Sequence, residues 1–314
     1  MAIILTLMAG FGPAIRDFQG RRLVGCPAQA GHVHVWLDDR LMHFDPDAVR
    51  QFEHAGWQRA AVDYDPTFAR ASRQFAEVLL DAAGVHAGVH VLDVCCGTGV
   101  VAAAAAARGA IVTGIDFSAA MLAEARRAHP TLRFDEGDAE ALPYADALFD
   151  AVVSNFGIHH IAHSDRAMAA AQRVLRPGGR LAITNWAAPA ENIAWRLLFD
   201  AIRAHGDLLA ANAPPSGGNL TTPEAGMRLL ASSGFVQCRV ETVRQKWRVA
   251  EPSQILVALA RGTARTAALI AAQPAAARPL IEAEFKTAAE EYRADDGYAV
   301  PIVAILASGT KSAA

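Results

Sequence analysis

From about residue 90 onward the chain alternates short apolar runs with longer stretches in which apolar positions recur every three or four residues. The runs fall at residues 91–95, 111–115, 132–134, 151–155 and 181–185, and the patterned stretches between them include 99–107, 118–128 and 164–175. Nearly continuous apolar runs predict strands buried on both faces. Strands joined by helices of this length pair in parallel through right-handed crossovers. The expected fold class is therefore α/β: a doubly wound, mostly parallel sheet with helices on both faces. Gly109 ends the alanine-rich helix, and Arg176-Pro177-Gly178-Gly179 ends another and turns into the next strand. Downstream the pattern predicts a helix to about residue 205, a Pro/Gly/Asn-rich loop at 213–219 and a further helix. A strand at 235–243, helices over 253–272 and 278–292, and a last strand at 299–306 complete it. Upstream, Asp45-Pro46-Asp47 is a helix start, followed by patterned runs to Trp57 and over 66–83.

Residues 12–41 show no steady period, so 1–41 reads as a poorly patterned extension and 42–314 as one domain. Within it, 42–88 would form N-terminal helices and a lid, 89–187 the core, 188–296 cap helices with a sixth strand, and 297–311 the last strand. At 314 residues, 53% hydrophobic and 19% charged, the chain can bury a large core. Its 29 basic and 32 acidic residues form no long like-charged block, so nucleic acid is not expected as a partner and small molecules are. The apolar opening at 1–11 is too short to span a bilayer and lacks the basic start of a secretory signal. Four cysteines without C-x-x-C spacing fit a reducing compartment, and a cytoplasmic location is expected. His32 and His34 alternate as strand ligands would, but no third ligand is evident and no metal is expected.

Asp93-Val94-Cys95-Cys96-Gly97-Thr98-Gly99 is the most informative stretch. A buried strand ends there, and two glycines let the backbone turn and approach a ligand while the next helix opens with free N–H groups. As Gly97-x-Gly99-x-x-Ala102 with Asp116 about twenty residues on, it also satisfies the dinucleotide fingerprint, so an NAD(P)-dependent oxidoreductase stands as the alternative. Three features favour a different ligand. Asp93 puts a carboxylate where a pyrophosphate would pass, which suits an ammonium group. Asp116, followed by Phe117, sits at the tip of the second strand and suits two ribose hydroxyls and an adenine face. Asp138 follows the third strand and can accept from an adenine amino group, with the Ala139 N–H addressing a ring nitrogen. Together they describe an adenosine that carries an amino acid and no phosphate.

These residues resemble the class I S-adenosylmethionine-dependent methyltransferases, in the broad group that includes the quinone-biosynthesis enzymes. The family pattern D-x-G-x-G-x-G stands here with Cys95 in place of the first glycine, which leaves slightly less room beside the methionine moiety. Position by position, the resemblance implies that Asp93 and the loop backbone from Cys95 through Gly97, Thr98 and Gly99 hold the methionine end. It further implies Asp116 at the ribose, Asp138 and Ala139 at the adenine, Met121 packed on that ring, and Asn155 near the sulfonium. Residues 149–155 and 175–179 are similar to the family's fourth strand and the turn before its fifth. The tail resembles its last strand, which implies a seven-stranded sheet with that strand inserted antiparallel.

A sulfonium methyl is already activated, so the enzyme's work is in-line positioning and exclusion of water, with a base only where the acceptor must lose a proton. His159 and His160, after the fourth strand, are the candidates for that base, with backbone-bonded loop residues as the alternative reading. Trp186 is placed to line the acceptor pocket or to pack in the core. Tyr64, with Trp57 before it, resembles the lid that closes over the cofactor, with two aromatics that staple an N-terminal helix to the sheet as the alternative reading. The expected reaction is methyl transfer from S-adenosylmethionine to a small hydrophobic or aromatic metabolite, releasing S-adenosylhomocysteine. A protein that binds the cofactor without turnover is a second alternative.

Overall fold

The computed structural model describes residues 44–215 and 220–313. His32, His34 and the rest of the 1–41 segment lie outside them, as does the centre of the Pro/Gly-rich loop. Asp45 caps α1 (Pro46–Tyr64): its Oδ1 accepts from the Asp47 N–H at 3.0 Å and the Ala48 N–H at 3.1 Å, and Pro46 sits in the first turn, where no N–H is needed. α2 (Ala69–Ser72) and a 3-10 turn lead to α3 (Ala76–Ala82). The core then runs β1 (His90–Val94), α4 (Val100–Ala107), β2 (Ile111–Asp116), α5 (Ala119–Ala128), β3 (Arg133–Glu136), β4 (Phe149–Asn155), α6 (Ser164–Val174) and β5 (Leu175–Trp186). After it come α7 (Ile193–His205), α8 (Pro223–Ser232), β6 (Phe235–Val249), α9 (Pro252–Arg261), α10 (Arg265–Ala271), α11 (Arg278–Ala289), β7 (Arg293–Ala294) and β8 (Gly297–Lys311).

The strand order is β3-β2-β1-β4-β5-β8-β6. Strands β1 to β5 pair in parallel, and β8 runs antiparallel between β5 and β6, as the resemblance implied. The two-residue β7 adds a short pairing on β8. Side-chain alternation explains the double layer. Leu92, Val152, Leu181 and Ile183 pack with Met168 and Val174 of α6, whereas Val91, Val153 and Ala182 pack with Leu79, Ala102, Ala105 and Leu122 of α3, α4 and α5. Ala102 and Ala105 are fully buried, so α4 lies close to the sheet. A third cluster joins Phe68, Phe75, Trp247, Leu259 and Phe285 under the helices that follow β5 and β6.

Three predicted elements need correction. Residues 176–179 are a bulge inside β5, not a turn before it: Phe149 pairs with Leu175 and Ala151 with Arg180, so the extra residues loop out while Arg176 Nη1 reaches Asp150 Oδ1 at 2.5 Å. The single helix expected over 253–272 is two, because α9 ends at Arg261 and α10 starts afresh at Arg265. β6 runs on to Val249. Its later positions alternate exposed Arg244, Lys246 and Arg248 with inward residues, as an edge strand does, and the charges hid the strand pattern.

Candidate functional site

The carboxyl ends of β1, β2, β4 and β5 open into one cavity of about 670 Å³. At its floor β1 passes into the glycine loop. Gly97 N donates to Asp116 Oδ2 and Ser118 N to Asp116 Oδ1, both at 2.9 Å, so the second-strand carboxylate fixes the loop and the start of α5 together. Burial pushes this carboxyl up, against the pull of those N–H groups. Gly99 opens α4 at φ 85°, and a Cβ there would lie 2.8 Å from the Phe134 ring, so both backbone and space exclude a side chain. Cys95 adopts φ 57° at the position where the family has glycine. Its thiol is raised well above its ordinary range, first by burial and then by the nearby carboxylates, so it is not a thiolate at neutral pH.

Of the residues singled out in the sequence, Tyr64, Cys95, Gly97, Asp116, Phe117 and Met121 line the cavity. So do Asp138, Ala139, Asn155, His159, His160 and Trp186. Asp93, Thr98 and Gly99 do not. Asp93 is buried beneath the loop, its Oδ2 accepting from the Ala102 N–H at 2.9 Å, so it caps α4 from the strand. Burial drives its carboxyl up to about 8, with Asp116 adding to the rise and the Ala102 hydrogen bond opposing it. Thr98 turns away and donates to Asp65 Oδ1 at 2.5 Å. The Asn155 side chain is used internally, donating to Ser72 O at 3.1 Å and accepting from Thr184 Oγ1 at 2.6 Å.

Helix α1 covers one side of the cavity, tied down along a single face. Arg50 pairs with Glu140 at 3.1 Å and Asp138 at 3.3 Å, and Gln58 Oε1 accepts from the Ala120 N–H at 2.8 Å. Glu53 is wholly buried and bridges two side chains of the cavity wall: Oε2 meets His160 Nδ1 at 2.8 Å, and Oε1 accepts from Arg265 Nε at 2.5 Å. Burial alone would raise its carboxyl, but His160 and Arg265 outweigh that and hold it below its ordinary range. Trp57 sits edge-on to His160, 4.8 Å between ring centres. Tyr64 donates to or accepts from Ser72 Oγ at 3.0 Å, and burial pushes its phenol up to about 12.

Past the ends of β4 and β5 the wall is aromatic. Phe156, at φ 60°, stacks on Trp186 with centroids 3.8 Å apart and planes 10° apart, and Phe68 stands edge-on to Trp186 and Trp195. His159 lies beside His160 and is held neutral, its pKa pulled well below the usual range first by burial and then by its neighbours His160 and Arg265. Sequence reasoning missed Arg50, Glu53, Phe68, Asn185, Trp195 and Arg265. Arg50 and Glu53 stood at helical spacing from Trp57 and were readable as one face. Arg265 comes from an element 212 residues beyond Glu53 and carried no local signal.

A methyltransferase domain family model matches residues 92–183. The chain is 41% identical over 117 residues to a demethylmenaquinone methyltransferase of Beutenbergia cavernae, covering 37% of this chain and 49% of the relative. To the demethylmenaquinone methyltransferase of Thermus thermophilus it is 36% identical over 172 residues, covering 50% of this chain and 78% of the relative. It spans about half the length of the first of these. The YcgJ protein of Bacillus subtilis shares the fold at a TM-score of 0.51 and 19% identity, over 76% of this chain and 98% of YcgJ. The match across most of the Thermus protein, the family model and the sheet order together make this chain a member of the class I S-adenosylmethionine-dependent methyltransferases.

Proposed function

We propose that the chain transfers a methyl group from S-adenosylmethionine to a small hydrophobic or aromatic acceptor. The observation that carries this reading is the division of one cavity into two unlike halves. At the ends of β1 to β3 the cavity is lined by Gly97, Asp116, Asp138 and Ala139, and past β4 and β5 and on α7 by Phe156, Trp186 and Trp195. The residues present fit the cofactor. Gly97 leaves its Cβ position open, with only Met121 Sδ as near as 4.0 Å, and Asp116 keeps lone pairs beyond its two backbone donors. Asp116 would hold the ribose hydroxyls, Phe117 and Met121 the adenine face, Asp138 and Ala139 its polar edge, and the backbone of Cys95 and Gly97 with Asn155 the methionine end. Bound there, S-adenosylmethionine supplies an electrophilic methyl on sulfur.

The remaining work falls to the chain. Tyr64, Trp57 and the rest of α1 exclude water, and the aromatic half orients the acceptor. Of the two histidines His160 is the base. A Glu53 carboxylate can only accept at Nδ1, which leaves Nε2 as the nitrogen to take an acceptor proton. The demethylmenaquinone methyltransferases among its relatives support a quinol-like acceptor. The test is formation of S-adenosylhomocysteine from S-adenosylmethionine with a panel of quinols, phenols and aromatic acids that includes demethylmenaquinol. Turnover with at least one member is expected. Tight binding of S-adenosylhomocysteine with no turnover on any would favour a binding protein instead.

A further inference from the structure

Arg265 is the least satisfied cation of the cavity wall. Its Nε donates to Glu53 and its Nη1 to Pro214 O at 2.7 Å, but Nη2 is buried without a hydrogen bond among the described residues. Glu53 Oε1 accepts from Nε and Oε2 faces His160, and neither oxygen bonds Nη2. His159 and Asn185 line the same cavity, and Asn185 is the side-chain hydrogen-bonding partner of His159. Native interiors rarely leave a guanidinium nitrogen unpaired, since desolvating a donor is costly unless a partner arrives. The Arg265 guanidinium lies over the Phe52 ring, 5.5 Å to its centre, and the same cavity is lined by Phe68, Phe156, Trp186 and Trp195.

We infer that Arg265 Nη2, on the wall it shares with His159, binds an oxygen of the methyl acceptor, and that Glu53 is the positioning residue that aims both Arg265 and His160. The acceptor is then a flat apolar molecule with an oxygen function at one end: a carboxylate, a phenolic hydroxyl or a ring carbonyl. The planar fork of Arg265 suits an oxygen in a ring plane, and the stacked Phe156–Trp186 pair supplies the face for the ring. The low basicity of His159 fits a neutral hydrogen-bonding partner rather than a second cation. This inference rests on the methyltransferase reading for the identity of its ligand, but its test does not require turnover.

The experiment is ligand-observed NMR on the full chain, with and without S-adenosylhomocysteine, using 2-naphthoate, 2-naphthol and 2-methylnaphthalene as probes. The wild type is expected to bind the two oxygenated probes at least about tenfold more tightly than 2-methylnaphthalene, the gain of one charge-assisted hydrogen bond. Arg265→Gln should erase that preference and leave 2-methylnaphthalene and S-adenosylhomocysteine affinities within about twofold, and Arg265→Lys, which keeps the charge but not the fork, should erase most of it. Glu53→Gln should weaken the preference without altering 2-methylnaphthalene binding, a pattern that general loosening of the fold would not produce. No preference in the wild type, no binding of either oxygenated probe at millimolar concentration, or a preference that survives in Arg265→Gln would overturn the inference. If the oxygen preference holds while S-adenosylhomocysteine fails to bind, the cofactor reading falls and the subsite stands.

Discussion

Cys95 occupies a left-handed backbone position, and its side chain fits because Gly157 has none: a Cβ on Gly157 would lie 2.6 Å from Cys95 Cβ and 2.7 Å from Ser154 Oγ. The departure from the glycine pattern visible in the sequence is thus matched on a neighbouring loop, which no one-dimensional reading relates to it. Gly157→Ala is expected to cost about 1–3 kcal/mol through overpacking. Adding Cys95→Gly should recover a large part of the loss, and urea denaturation of both single variants and the double would read the coupling. Asp93 supplies a second test. Its carboxyl rises from the ordinary range to about 8 on folding, so the folded state holds the proton more tightly than the unfolded one. The stability linked to Asp93 is therefore present below the ordinary carboxylate range and is lost as pH rises toward 8. An asparagine side chain has no proton to lose and can still accept from the Ala102 N–H, so the stability of Asp93→Asn relative to wild type should increase steadily across that window. A difference that stays flat with pH would refute the assignment.

Helix α1 is the element on which the site depends. Its start was readable from Asp45-Pro46, and the place of Trp57 and Tyr64 at the cavity from the aromatic spacing, because capping and aromatic placement are local signals. Its anchors were not, since each is paired with a distant segment: Arg50 with the turn after β3, Glu53 with the loop after β4 and with α10, Asp65 with the glycine loop. The same difference separates β4, found from an unbroken apolar run, from the split between α9 and α10. The first is written in adjacent side chains, the second in how cap helices pack. Glu53→Ala would strand Arg265 and His160 beside an empty buried site, and a loss of about 3–5 kcal/mol is expected, measurable by chemical denaturation. Because the Glu53 carboxyl is held below its ordinary range, its contribution is present above that range and is lost as pH falls through the lowered value. Amide-exchange protection over residues 46–64 should fall selectively in that acidic window, and much less so in Glu53→Gln.

At the scale of the whole molecule, the parallel half of the sheet brings Asp116 and Asp138 to one edge, and the antiparallel insertion of β8 extends the sheet beneath the aromatic wall. That arrangement was legible from the alternation of runs and helices together with the resemblance carried by residues 93–99. The aromatic wall was legible only in part: Trp186 stood out after the fifth strand, whereas Phe68, Phe156 and Trp195 come from segments with no shared motif. Among the described residues no helix is long and apolar enough to cross a membrane, and no cluster of His, Cys, Asp and Glu is placed to hold a metal. The central claim is that the polar half of the cavity is built for an adenosine bearing an amino acid. Calorimetric titration with S-adenosylhomocysteine and with NADH, on the wild type and on Asp116→Ala, tests it most directly. The account predicts saturable one-site binding of S-adenosylhomocysteine, none of NADH, and affinity lowered about tenfold to a hundredfold in the folded variant, the loss of charge-assisted hydrogen bonds of about 1.5–3 kcal/mol. Binding of NADH without S-adenosylhomocysteine, or an unchanged affinity in Asp116→Ala, would contradict it.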